Sequence, residues 1–294
     1  MIARSTGLWA SAVCAALSGC LDEGAPLFTE AGAQDAGVDA AAQPFDGGLS
    51  ADVPPVVRPD AGALNTDNVK VYAHTANTLY VVDPRRLSVT RVNDFQFSED
   101  GRDHRMTDIA VNSADELWGI TFNAIYRINP NTARCFYAAN FNGGDFNGLS
   151  FVPGTEFDGT REVLIATSRS GGVFRIDTTN GQATQLGDYG ANLGSSGDVV
   201  SIESGGTFAT VLDDDGIEQL ARINALTGRA TLIGPTGQGD IWGIGYWRQR
   251  LFGFTRSGNF VTLDLNNGHA TVLSRSNESW WGAGVTTLAP TAPP

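Results

Sequence analysis

The chain is short of positive charge, sulfur and histidine. Of its 294 residues only 19 are Lys or Arg, against 32 Asp or Glu, and the formal net charge is −13. Lys70 is the single lysine. Such a surface repels nucleic-acid phosphate and anionic head groups, which removes nucleic-acid binding from the functions to consider. Acidity that keeps a surface protein soluble and selection by a cationic partner both remain open. The three cysteines are Cys14, Cys20 and Cys135. Only Cys135 lies in the part of the chain able to fold, so no disulfide forms within that part. In its Arg-Cys-Phe-Tyr setting it reads as a small buried hydrophobe rather than a nucleophile. The three histidines, His74, His104 and His269, are too scattered for metal-ligand spacing. Nucleophile-elbow serines and phosphate-cradling Gly loops are also missing, which leaves little for an enzyme to work with.

What is present begins with an address. Arg4 precedes an apolar core over residues 8–17, of signal-peptide length and too short to span a bilayer. The core ends in Leu17-Ser18-Gly19-Cys20, which resembles the bacterial lipobox. That resemblance implies cleavage after residue 19, diacylation of the Cys20 thiol (palmitate being a typical acyl group) and anchorage to the cell envelope. Ordinary signal cleavage beside a chance cysteine is the alternative. With each buried methylene contributing ~0.8 kcal/mol, several acyl chains hold a protein to a membrane almost permanently. Leu21, rather than Asp, follows the cysteine and favours the outer membrane.

Residues 20–66 are rich in Ala, Gly, Asp and Pro and have little apolar surface to bury, which predicts a disordered acidic tether. Its root-mean-square reach would be roughly 35–40 Å. The tail 289–294, Ala-Pro-Thr-Ala-Pro-Pro, is expected to fray.

Residues 67–288 repeat one pattern five times: a strand ending in Asp or Asn, a turn, then a second strand. The copies are 79–83 with 88–92, 125–129 with 133–137, 173–177 with 182–186, 220–224 with 229–233, and 260–264 with 269–273. The Asp or Asn side chain accepts nearby backbone N–H groups, and a Thr-Gly or Asn-Gly pair supplies positive φ. Two further strands precede each hairpin. The anchor residues Asp83, Asn129, Asp177, Asn224 and Asp264 are spaced by 46, 48, 47 and 40 residues. Four strands per unit at this period predict an all-β, five-bladed propeller of antiparallel blades. The first unit lacks an inner strand, and residues 280–285 supply a spare one, so the C-terminal strand should close the ring. A β-sandwich is the structural alternative.

The idealised repeat, apolar-Tyr-x-Ile-Asp-x-x-Thr-Gly-x-x-Thr-x-Ile-Gly, resembles the WD40-like and quinoprotein-like propeller repeats of exported bacterial proteins. That resemblance implies architecture rather than function. The Trp-Asp dipeptide of WD40 blades and the Trp docking motif of the quinoproteins are absent, which argues against a quinone cofactor.

In a propeller the inner strands line the axis and the loops leading into them converge on one face. Those loops carry Asp108, Asn147 (after Asp145), Asp198, Asp240 and Ser279 (after Glu278), with Trp242, Trp280 and Trp281 alongside. Three readings follow. Asp108, Asp198 and Asp240 are candidate ligands for a channel Ca²⁺. With Asn147, Trp242 and Trp281, the same acids are candidate contacts for a sugar, peptide or protein ligand. Local loop capping by each Asp, and packing of the Trp residues between blades, are the plainer alternatives. A hydrolase of glycans or lactones would use the same acids, with Glu203 or Glu278 as proton donor. Asp213-Asp214-Asp215-Gly216 fails the calcium-loop spacing and reads as a turn. The sequence thus favours a monomeric, non-enzymatic binding or protein-interaction module, lipid-anchored at the envelope, with an envelope protein or glycan as partner.

Overall fold

The computed structural model describes residues 69–98, 102–141, 144–159, 161–190 and 192–293. The signal segment, Cys20 and the predicted tether lie outside the described residues. Contacts divide the chain into two units, Met1–Val57 and Arg58–Pro294, and the propeller belongs to the second.

The strands form five antiparallel blades. The first contains β1 (Val71–His74), β2 (Thr78–Asp83) and β3 (Ser88–Asp94). A short strand, β4 (Gln96–Phe97), leaves it for the second blade: β5 (Asp108–Val111), β6 (Leu117–Ile120), β7 (Ala124–Ile128) and β8 (Arg134–Asn140). The third holds β9 (Phe146–Val152), β10 (Val163–Ser168), β11 (Gly172–Ile176) and β12 (Ala183–Asp188). The fourth holds β13 (Gly194–Ile202), β14 (Gly206–Leu212), β15 (Glu218–Ile223) and β16 (Ala230–Pro235). The fifth holds β17 (Ile241–Trp247), β18 (Arg250–Thr255), β19 (Asn259–Leu263) and β20 (Ala270–Arg275). The last strand, β21 (Gly282–Val285), pairs with β1 from Val71↔Val285 to His74↔Gly282 and becomes the inner strand of the first blade. Ring closure by the C-terminus is therefore as the spare strand predicts.

The repeat has a clear physical basis. Each anchor side chain accepts backbone N–H groups of the turn that follows it: Asp83 from Arg85 and Arg86, Asn129 from Asn131 and Thr132, Asp177 from Thr179, Asn224 from Leu226 and Thr227, Asp264 from Asn266. The turn glycines Gly181, Gly228 and Gly268 hold φ of 74°, 75° and 80°. They also dock against the neighbouring blade: a Cβ on Gly181 would strike the Asn140 carbonyl, and one on Gly268 the Gly234 carbonyl. The final Gly of the motif does the reverse, with Gly234 against Asn267 and Gly187 against Thr227. In the first two blades Leu87 and Ala133 take the turn position at φ 53° and 58°, a conformation costly for a side chain bearing Cβ.

The core lies between blades rather than within one sheet. One cluster joins Val71, Phe208, Phe252, Phe254 and Trp280 across the first, fourth and fifth blades. Others join the first and second through Leu79, Met106 and Tyr126, the third and fourth through Ile165, Tyr189 and Val211, and the second and third through Ile120, Phe146 and Leu164.

The tail departs from expectation. Ala289 is buried, its N–H donates to Thr286 O, and Pro290 O accepts the Arg248 N–H at 2.7 Å. Arg248 also donates from its guanidinium to Pro293 O at 3.2 Å. Residues 289–293 are tied to the propeller rather than frayed, because Arg248 supplies donors for their carbonyls.

Candidate functional site

Bulges on the inner strands decide where the polar residues go. In β9 the pairing with β10 skips Asn147, passing from Gly148↔Thr167 to Phe146↔Ser168. In β17 it skips Trp242, between Ile241↔Thr255 and Gly243↔Phe254. In β13 it skips Ser196, Gly197 and Asp198, between Ser195↔Val211 and Val199↔Ala209. A bulge leaves a residue unpaired and re-aims its side chain.

Two of the predicted acids meet at the propeller axis. Asp108 and Asp198 are fully buried. Each accepts the N–H of its own next residue, Ile109 at 2.8 Å and Val199 at 2.7 Å. Asp198 Oδ2 also accepts the Ile244 N–H at 2.8 Å and the Ala283 N–H at 3.3 Å. The two carboxyls are neighbours, close enough to share a proton. The pair thus accepts backbone amides of four of the five inner strands: β5, β13, β17 and β21. Asp108 Oδ2 meets no conventional donor, so the bond between the carboxyls requires a proton on one of them. Burial, then the Asp198 charge, drives the Asp108 carboxyl well above the usual carboxylate range. Burial raises Asp198 to about 8, opposed first by the Ile244 amide. The pair therefore keeps a proton at neutral pH.

His74 joins this centre from β1. It is fully buried, with Nε2 3.7 Å from Asp108 Oδ1. Nδ1 is 2.9 Å from Thr75 O and carries the proton in that bond. Burial pulls its pKa down to about 4, so the imidazole is neutral. Gly282 makes room for the group: a Cβ there would collide with both Asp108 Oδ1 and His74 Nε2. Gly197 packs against Ile241 and Trp242, and Gly243 against Gly282, so backbones fill the axis.

Of the three acids expected at a channel mouth, the fold brings two together and buries them. Asp240 does not join Asp108 and Asp198; it is exposed at φ 56°. The Ile241 N–H beside it is accepted by Glu218 Oε1 at 3.0 Å. Among the described residues, no group of three or more His, Cys, Asp or Glu side chains could hold a metal ion. Asp108 and Asp198 are interior cross-links rather than ligand contacts, since neither is exposed.

The other predicted residues do converge. Asn147, Trp242 and Trp281 line one pocket of about 90 Å³ on the face where loops lead into the inner strands. The two indoles are half-buried and perpendicular, with centroids 6.2 Å apart. The Arg256 guanidinium lies over the Trp242 ring at 4.9 Å. Asn147 Nδ2 donates to Ser195 O at 3.2 Å, which fixes the amide, while its buried Oδ1 has no donor. Phe122 and Phe146 add apolar wall, and Phe122 is 37 % exposed. At the rim Arg169 Nε pairs with Asp145 Oδ2 at 3.0 Å, both side chains more than half exposed. Ser196 lines the pocket, with the buried Glu218 near it. Burial raises Glu218 to about 7, opposed by the Ser196 hydroxyl and the Ile241 amide.

The remaining candidates fall elsewhere. Trp280 is core, packed edge-on against Tyr80 and Phe254. Glu278 lies near the Tyr80 hydroxyl and helps raise its pKa, and Glu203 donates its N–H to Thr287 O at the turn after β13. Cys135 is buried, and burial pushes its thiol up to about 12, which removes it as a nucleophile. His74, Glu218, Phe122, Phe146 and Ser196 were not singled out as site residues by their sequence context. The one available signal was the unbroken apolar run before His74 in β1.

No protein family matches the chain, and no curated protein matches it. Among solved structures it is similar to a chain of a nidogen/laminin complex, at 11 % identity and TM-score 0.46, over 74 % of this chain and 97 % of that one. It is similar to a symmetrical protein described in terms of de novo evolutionary emergence, at 12 % identity and TM-score 0.47, over 76 % and 99 %. TolB from Acinetobacter baumannii is also similar, at 14 % identity and TM-score 0.40, over 71 % and 53 %. The five-bladed propeller rests on the strand order above and not on these likenesses.

Proposed function

We propose that the chain is a non-enzymatic binding module of the bacterial cell envelope, reading its ligand in the pocket between Trp242 and Trp281. The observation that carries this is the aromatic surface left open at one pocket, the two half-buried, perpendicular indoles of Trp242 and Trp281 beside the exposed Phe122. Hydrolysis of glycans needs two facing carboxyls reachable by substrate. Here Asp108 and Asp198 are sealed in the core, Glu218 sits behind Ser196, and Asp145 is the single carboxylate lining the pocket. Cys20, acylated, would hold the module at the membrane, and residues 20–66 would act as its spacer.

Two experiments test this reading. The full chain carrying Cys20→Ser is applied to glycan and peptide arrays beside its Trp281→Ala variant. Binding that Trp281→Ala removes supports the pocket; binding that survives it, turnover of a glycan, or silence on both arrays counts against it. Metabolic labelling with a palmitate analogue should mark the parent chain and not Cys20→Ser. An unlabelled parent would remove the anchor.

A further inference from the structure

We infer that a second pocket, at the end of the propeller away from the paired indoles, binds a phosphate monoester. It uses other residues than the site above and stands or falls by itself.

Its place follows from one strand. β17 runs from Ile241 to Trp247, so Trp242 stands at its start and Trp247 at its end. Five steps along a strand separate the two positions by roughly 16 Å. Beside Trp247 lies a pocket of about 410 Å³, lined by Lys70 just before β1, by Asp83, Arg85 and Arg86 at the turn after β2, and by Thr90 of β3. Small-molecule sites span about 300–1,000 Å³. The Trp247 indole is buried, with the Arg248 guanidinium 5.2 Å and the Arg85 guanidinium 6.0 Å from its ring.

The charge there opposes that of the whole chain. The chain carries −13 and a single lysine. Among the described residues, this pocket gathers that lysine and two arginines against one carboxylate. Asp83 is engaged by its own turn, accepting the Arg85 N–H at 2.9 Å and the Arg86 N–H at 3.0 Å. It meets the Arg86 guanidinium through Nη1 alone, at 3.4 Å, and the Arg86 side chain is 84 % exposed. Long-range repulsion by the remaining acids is screened beyond ~8 Å at physiological salt, so the local set governs binding.

The repeat singles out the same turn. Residues 83–87 read Asp-Pro-Arg-Arg-Leu. The equivalent turns read Asn-Pro-Asn-Thr-Ala at 129–133, Asp-Thr-Thr-Asn-Gly at 177–181, Asn-Ala-Leu-Thr-Gly at 224–228 and Asp-Leu-Asn-Asn-Gly at 264–268, none with a cation. Asp83 caps through backbone amides as the other anchors do, so the turn itself does not call for arginine side chains.

Two positive charges in excess suit a phosphate monoester, which carries about −1.5 to −2 at pH 7. A carboxylate brings half of that. A guanidinium donates to two phosphate oxygens side by side, and an ammonium adds a point charge. A lipid head group and a soluble ester share this chemistry.

The test titrates the full chain carrying Cys20→Ser by calorimetry with glycerol 3-phosphate, and with acetate at matched ionic strength. The ester should bind saturably, and acetate at least about tenfold more weakly. Lys70→Gln with Arg86→Gln should weaken the ester by about tenfold and keep the parent's melting transition, since both side chains are exposed. Should that pair disturb folding, Arg86→Gln alone should give a several-fold loss. Arg134→Gln with Arg175→Gln removes the same charge from exposed positions on other blades and should leave the affinity unchanged. Phosphatidylcholine vesicles doped with phosphatidic acid separate the sources. Retention on them that glycerol 3-phosphate displaces assigns the site to lipid head groups; binding of the ester without retention assigns it to a soluble ester. No saturable binding of either, equal binding of acetate, or equal losses in the two double variants overturns the inference. The array result with Trp281→Ala bears only on the aromatic pocket, so each site can fail alone.

Discussion

The propeller's axis and the pocket on its face are built from the same structural position, the start of an inner strand, and they have opposite fates. At the axis, Asp108 and Asp198 are sealed from water and bonded to inner strands of four blades. On the face, Asn147, Trp242 and Trp281 stay partly open around an acceptor with no donor. Residue type alone does not separate the two. The local backbone does: the bulge over Ser196, Gly197 and Asp198 turns the carboxylate inward, whereas bulges at Asn147 and Trp242 leave those side chains at the pocket. Asp240 has a third fate: it is exposed at φ 56°, and the next amide, Ile241, donates to Glu218. A polar residue recurring around a ring is therefore as good a candidate for cross-linking the ring as for contacting a ligand.

The comparison breaks most readily at Asp198. Asp198→Ala leaves the amides of Val199, Ile244 and Ala283 without their acceptor, at about 3 kcal/mol or more. For a domain of this size that lowers the melting midpoint by roughly 6–12 °C. An unchanged midpoint would mean the axis is not the cross-link described here.

The next effect is a pH dependence confined to the axis. Raised folded-state values mean that the native state holds protons which the unfolded chain releases above about pH 4. Stability from Asp108 and Asp198 is therefore lost as pH rises from about 4 through about 8, the value to which Asp198 is raised. Glu218, raised to about 7, adds in the same direction. His74, lowered to about 4, acts oppositely, losing stability as pH falls below its ordinary range. Thermal melts from pH 5 to pH 9 should show a falling midpoint. Asp108→Asn keeps an N–H donor for Asp198 and removes the proton, so its midpoint should fall less steeply, with little change at the acidic end. A parallel slope in both proteins would contradict the shared proton.

On the face, Trp281→Ala should lower stability by about 1–2 kcal/mol, against ~3–5 kcal/mol for Trp280→Ala in the core, while abolishing ligand binding. Comparable losses would make Trp281 a packing residue. The smallest effect concerns calcium. EDTA, added Ca²⁺ and Asp240→Asn should each leave the midpoint where it is, because the three acids do not share a site. A rise with Ca²⁺ that Asp240→Asn removes would restore the cation site.

Much of the fold was legible because it repeats. The five Asp or Asn anchors, the turn glycines and the spare strand before Val285 all carry local or periodic signals. Features lacking such a signal escaped. The two-residue β4 adds in parallel to β8 through Gln96↔Arg134 and Phe97↔Cys135, and nothing in its composition marks it. Leu87 and Ala133 adopt positive φ where the repeat lacks glycine. Of the site, Asn147, Trp242 and Trp281 were legible from their place before inner strands. Phe122, Phe146 and Ser196 reach the pocket only through packing, and Asp240 was misread because its backbone angle is not written in its neighbours.

By itself the sequence determined the blade count, the strand order and the ring closure, since these follow from the period of a repeat and the alternation of side chains along a strand. The tertiary structure alone decided which acids are buried and which side chains share a pocket. Those outcomes depend on bulges and on close approaches between blades, where Gly282, Asp108 and His74 meet from distant parts of the chain. The free energy of a buried charge is fixed by everything around it, and for Asp198 its partners lie 46 and 85 residues away.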